Sequence, residues 1–80
     1  MSASSRIRWK SRRGLKELDV LLERFLARRY PQLSVAEQGA YDRLLDHEDT
    51  DLQHWLIGSE QPTDRELQHI VQLILSTPAS

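Results

Sequence analysis

The chain has 80 residues and no cysteine, and its formal net charge of −1 conceals nine bases against three acids in residues 1–30 and two bases against nine acids in residues 31–80. A domain of this size buries only about 60–65% of the surface its unfolded chain exposes, so it holds one small core with little room for a deep substrate pocket. Disulfides, thiol nucleophiles and thiolate metal sites are excluded, and no apolar run exceeds three residues, far short of the ~20 needed for a membrane-spanning helix.

Apolar residues recur throughout at helical spacing, and no segment alternates as a half-buried strand would. A first short helix is expected from Ser5 to Arg12, with Ile7 and Trp9 as its apolar residues. Gly14 is placed to end it, because glycine tolerates the left-handed conformation common just past a helix C-terminus. Leu15, Leu18, Leu21, Leu22, Phe25 and Leu26 form one broad stripe and predict a second helix from Leu15 to Arg29. Arg28 and Arg29 suit its negative end, and Pro31 forbids continuation. Ser34-Val35-Ala36-Glu37 reads as a capping box opening a third helix to Asp46, which buries Tyr41, Leu44 and Leu45. After a polar turn, Asp49 or Thr50 caps a fourth helix carrying Leu52, Trp55, Leu56 and Ile57, with Gly58 at its end. Thr63-Asp64-Arg65-Glu66 reads as a second capping box, opening a fifth helix that sets Leu67, Ile70, Val71, Ile74 and Leu75 on one face. Leu73 falls outside that stripe and suggests a contact of its own. The predicted fold is all-α, a compact bundle of four to five short helices in a single domain over residues 1–80. Residues 1–4 and 77–80 read as disordered tails.

The chemistry-bearing clusters are mostly explained without a site. His47, Glu48, Asp49, Asp51 and His54 lie close in sequence, but the glycine and terminal glutamate of a calcium loop are missing; a solvated acidic turn accounts for them. His69 lies beside an apolar face as a bystander, and Trp55 reads as a core anchor. No serine sits on a glycine-flanked sharp turn, and three scattered glycines make no phosphate loop. An enzyme active site is not expected. Arg6, Arg8, Lys10, Arg12, Arg13 and Lys16 around Trp9 could track a nucleic-acid backbone and stack on a base. Against this, the isoelectric point is about 6.3, whereas nucleic-acid-binding domains usually run above about 9. The same segment, rich in Ser and Arg and free of acids through residue 14, has the composition of a mitochondrial transit peptide. A twin-arginine export signal is set aside, because no hydrophobic stretch follows Arg12-Arg13.

The junction Arg13-Gly14-Leu15-Lys16-Glu17 admits two readings. In the first it is a helix stop, a glycine turn and a glutamate favouring the next helix through its dipole. In the second it is a partner site: Gly14 permits close approach, Arg13 offers a bidentate fork to a carboxylate, and Glu17 accepts bonds from the same partner. Residue chemistry alone leaves both standing.

From Arg6 to about Leu75 the sequence resembles the small assembly factors that promote covalent FAD attachment to the flavoprotein subunit of succinate dehydrogenase. The Arg-Gly-x-x-Glu motif is matched by Arg13, Gly14 and Glu17. It is flanked by Arg6-Ile7-Arg8-Trp9 and Leu18-Asp19, and followed by Leu44-Leu45, Asp49, Asp51, Leu52, Trp55 and Leu56. The resemblance implies an all-helical factor, monomeric when free, that binds the flavoprotein subunit as a chaperone while a client histidine bonds to a methyl carbon of the flavin ring. It implies a non-catalytic role, no stably held cofactor since FAD is carried by the client, no metal and no membrane insertion. The client-binding residues it implies are Arg13, Gly14 and Glu17, extended by Arg8, Trp9, Arg12 and Asp19. It also implies that Ser5–Arg13 is the first helix of the mature domain rather than a transit peptide, and hence a bacterial, cytoplasmic protein. A related fumarate reductase subunit is a second plausible client. The reading from a different class is a small regulatory or antitoxin-like module binding nucleic acid through its basic N-terminal face.

Overall fold

A computed structural model describes residues 5–78, and every regular element among them is helical: α1 (Ser5–Ser11), α2 (Lys16–Arg28), a 3-10 turn (Tyr30–Gln32), α3 (Val35–Leu45), α4 (Asp49–Leu56) and α5 (Arg65–Leu75). Each predicted helix is present, with ends shifted by a residue or so. α3 and α5 make the most extensive pairing, and α2 packs against α1, α4 and α5. The stripe on α2 becomes its buried face, with Leu18, Leu22, Phe25 and Leu26 in the core. Ile7 of α1, Leu44 and Leu45 of α3, Leu52 and Leu56 of α4, and Leu67, Ile70, Val71 and Ile74 of α5 complete that core. Tyr41 lies at its centre, its ring 5.0 Å from Phe25 and 5.5 Å from Tyr30 between centroids.

Ser34 caps α3 as read: its hydroxyl accepts from the Glu37 N–H at 3.1 Å, and Glu37 Oε1 accepts from the Ser34 N–H at 2.9 Å. Two other caps differ from expectation. α4 starts after Glu48, whose side chain caps nothing, and Asp49 is already helical. α5 is capped by Asp64 rather than Thr63; the Asp64 carboxylate accepts from the N–H groups of Glu66 and Leu67. Both residue types cap well, and spacing alone does not choose between neighbours. Trp55, expected in the core, is half-buried at its rim with its ring edge-on to His47. Leu73, expected to seek a separate contact, is half-buried against the core, while Leu75 from the predicted stripe is exposed. The expected tail at 77–80 also changes. Thr77 is buried and donates to the Leu73 carbonyl at 2.7 Å, closing α5; residues 1–4 and 79–80 lie outside the described residues.

Candidate functional site

The turn between α1 and α2 is built around Gly14, which adopts a φ of +80°. A Cβ at that position would meet no atom within 4 Å, so the glycine answers to backbone conformation and to an open surface rather than to crowding inside the fold. Left-handed backbone costs an L-residue roughly 1–2 kcal/mol, which accounts for the residue type. On one side of the turn Trp9 projects from α1, 77% exposed. On the other, Lys16 and Glu17 open α2 and are exposed. Glu17 sits in the first turn of that helix, where a carboxylate complements the dipole.

Arg13 differs from the sequence-based expectation. Its side chain is only 15% exposed and four of its five guanidinium donors are used inside the molecule. Nε donates to Asp49 Oδ1 at 2.7 Å, Nη1 to the carbonyls of Lys10 at 3.0 Å and Leu45 at 2.9 Å, and Nη2 to the His47 carbonyl at 2.6 Å. The backbone N–H of Arg13 donates to Asp19 Oδ1 at 2.7 Å. Residue 13 is thus held by side chain and by backbone. The fork that spacing seemed to offer a partner is occupied by the elbow between α3 and α4, and Asp19 holds the turn as well as flanking it.

Two open grooves border this turn. One, between α1 and α2, is lined by Arg8, Ser11 and Arg12 on one wall and by Asp19, Glu23 and Leu26 on the other. The second runs from Leu15, Glu17 and Leu18 to Gln53, Ile57 and Gly58 at the end of α4. Ile57 is 46% exposed there. Of the seven sequence-predicted residues, Arg8, Trp9, Arg12, Gly14 and Glu17 are exposed around one turn, while Arg13 and Asp19 brace it from beneath. Asp49, Gln53 and Ile57 were missed as neighbours of this site. In the sequence Asp49 stands as a candidate helix cap, a member of the acidic cluster and part of the family resemblance, and no local pattern points from residue 49 to residue 13.

The basic residues of α1 divide by face. Arg6 and Lys10 turn toward α3, where Arg6 meets Asp42 at 3.3 Å and Lys10 bonds to Asp42 and to Asp46, the latter at 2.7 Å. Burial pulls the Lys10 ammonium down, and its bonds to these two carboxylates outweigh that and raise it. Arg8 and Arg12 have no ion-pair partner among the described residues. The arginine-lined groove also carries Asp19 and Glu23 on its opposite wall. Among the described residues no group of three His, Asp or Glu side chains is arranged to hold a metal, and no helix is long and apolar enough to cross a membrane.

These features define a class: a small single-core helical module whose distinctive surface is a braced, exposed glycine turn. The chain belongs to the Sdh5 family, the flavinator of succinate dehydrogenase, whose family model matches residues 5–78. It is 43% identical to the FAD assembly factor SdhE of Xylella fastidiosa (strain 9a5c) over 94% of this chain and 77% of that one. Identity to the FAD assembly factor SdhE of Legionella pneumophila (strain Paris) is 46%, over 88% of this chain and 87% of the relative. For the Coxiella burnetii protein of the same name it is 43%, over 90% and 88%.

Proposed function

We propose that this protein binds the flavoprotein subunit of succinate dehydrogenase through the Gly14 turn and promotes covalent FAD attachment to it as a non-catalytic assembly factor. The observation that carries this reading is the turn itself. A left-handed glycine with open space above it lies between the exposed Trp9 and Glu17, in a chain whose family is a succinate dehydrogenase flavinator. Gly14 lets a client backbone or side chain approach closely, and Glu17 accepts hydrogen bonds from client donors. Trp9 supplies a rigid apolar anchor with little side-chain entropy to lose. Arg8 and Arg12 offer planar forks to client carboxylates. The reacting atoms, histidine and flavin, belong to the client. This chain contributes binding energy that holds the client's parts in reactive geometry, and well-oriented groups gain several orders of magnitude in rate from such placement. The free protein is monomeric, acts in the cytoplasm, and leaves FAD with the client; a fumarate reductase subunit is the alternative client.

The test is in-gel fluorescence of covalent flavin on the denatured client, expressed with no factor, with this protein, with Gly14→Arg and with Glu17→Ala. Wild type raises the signal; both variants stay helical by circular dichroism and lose most of the rise. Because a Cβ at residue 14 meets nothing, Gly14→Ala keeps the fold at a cost of roughly 1–2 kcal/mol, and its flavinylation lies between wild type and Gly14→Arg. Normal flavinylation with Gly14→Arg would sink the binding model. No rise with wild type on either client would turn attention to nucleic acid, whose binding would weaken steeply with salt.

A further inference from the structure

We propose that Asp49, at the start of α4, is a positioning residue for the Gly14 turn and acts on it through Arg13. This rests on the reading above that the turn is what the client grips.

Four of the five guanidinium N–H donors of Arg13 are used within the molecule. Three of the four acceptors involved are neutral backbone carbonyls, so Asp49 is the only acceptor in the set whose charge balances the guanidinium. Two of those carbonyls, Leu45 and His47, belong to the end of α3 and the elbow after it, where the helix dipole is negative. Asp49 follows within the first turn of α4, where the dipole favours a carboxylate. Its side chain does not cap that helix, because Glu48 holds the N-cap position. Arg13 therefore bridges the negative end of one helix and a carboxylate at the start of the next. It draws the loop before α2 onto the α3–α4 elbow.

What this does for the turn follows from chain order. Residue 13 directly precedes Gly14, and its own N–H is held by Asp19. With the side chain anchored at Asp49 and the backbone at Asp19, the direction in which the chain enters the left-handed glycine is set before any client arrives. A free glycine turn would populate other conformations, and a client that grips only one of them would bind more weakly in proportion. The Asp49 carboxylate reaches the turn through its bond to Arg13. Its contribution is to the fraction of molecules already in the gripping conformation, so it governs how much factor is needed rather than how fast a formed complex reacts.

The test compares wild type with Asp49→Ala, Asp49→Asn, Asp49→Glu, Arg13→Lys and the Arg13→Lys/Asp49→Ala pair. The rate of covalent flavin attachment is titrated with factor against the flavoprotein subunit. Separately, the Gly14 amide and the Arg13 Nε–H are followed by NMR in the free protein. Losing a charge-assisted hydrogen bond raises the half-saturating factor concentration about tenfold for Asp49→Ala and leaves the saturated rate within about twofold of wild type. Asp49→Asn, which keeps an acceptor oxygen, falls between, and the double variant is no worse than the worse single one because both changes open the same clamp. In the free Asp49→Ala protein the Gly14 amide shifts and the Arg13 Nε–H exchanges faster. An unchanged half-saturation, or an unmoved Gly14 amide, overturns the proposal. If Asp49→Ala fails to fold, Asp49→Asn and Asp49→Glu decide by the same two readouts. If wild type promotes no attachment, the client reading fails, while the NMR of the free proteins still decides whether Asp49 sets the turn.

Discussion

Tyr41 and Ser11 show how single residues tie the candidate site to the core. The Tyr41 hydroxyl lies 2.7 Å from Ser11 Oγ, and Ser11 Oγ donates to the Ile7 carbonyl at 2.9 Å. Since the serine proton is used on Ile7, the tyrosine proton points to the serine, and a short relay runs from the centre of the core to α1. Burial pushes the Tyr41 phenol well above its ordinary range, against the weaker pull of the Ser11 bond, so it remains a neutral donor. Ser11→Ala strands a buried hydroxyl and costs about 1–3 kcal/mol, whereas Tyr41→Phe leaves the serine bond intact and costs about 0.5–1.5 kcal/mol. Equilibrium urea unfolding of both variants measures this order; a larger loss for Tyr41→Phe would reverse the relay. The contrast between Arg13 and Glu17 is of the same kind. The two sit four residues apart in one motif, yet the first is spent on internal acceptors and the second faces water.

At the level of the element, α3 is a strong start followed by a weak middle. Its capping box is complete, and Glu37 is held below the usual carboxylate range chiefly by the Ser34 backbone N–H, with His69 at 2.9 Å adding to it. Two residues after Glu37, Gly39 is exposed inside the helix, and a Cβ there meets nothing within 4 Å. Gly39→Ala therefore gains about 1 kcal/mol of helix propensity, which a melt of an ~80-residue domain reads as roughly 4–8 °C. No gain would mean that the Gly39 surface is unfavourable to a methyl group for a reason other than packing. All five helices were legible because their apolar spacing and stop signals agree. Their ends were legible to within about a residue. What escaped was what depends on a neighbour: which of Thr63 and Asp64 caps α5, why Leu73 rather than Leu75 packs inward, and that Thr77 folds back onto Leu73.

For the whole molecule, the charge asymmetry seen in the composition resolves into two uses. Arg6, Lys10 and Arg13 follow one another at helical spacing and face the acidic α3–α4 side, where Asp42, Asp46 and Asp49 receive them. Arg8, on the other face of α1, and Arg12, just past its end, line the groove toward α2. Summed charge could not separate these sets, because the separation exists only once α3 is placed beside α1; the exposed half of the site was legible and its supporting half was not. The internal half has a pH signature. Asp42 is held below its ordinary range first by its hydrogen bond to Lys10, against desolvation, with Arg6 adding to the effect. A carboxylate whose folded pKa is lowered contributes stability above its unfolded value, near 3.9, and loses it as pH falls through the lowered folded value. Lys10, raised by the same contacts, holds its contribution up to its unfolded value near 10.4 and loses it above the raised folded one. Asp42→Asn should therefore lower stability through the neutral range by about 0.5–1 kcal/mol, a modest figure because the carboxylate is about a third exposed and screened by solvent. Urea midpoints for wild type and Asp42→Asn should differ at pH 7 and pH 5 and converge as pH falls through the lowered Asp42 value. A gap that persists in acid would assign the loss to packing of the asparagine, and the link between α1 and α3 would then not be electrostatic.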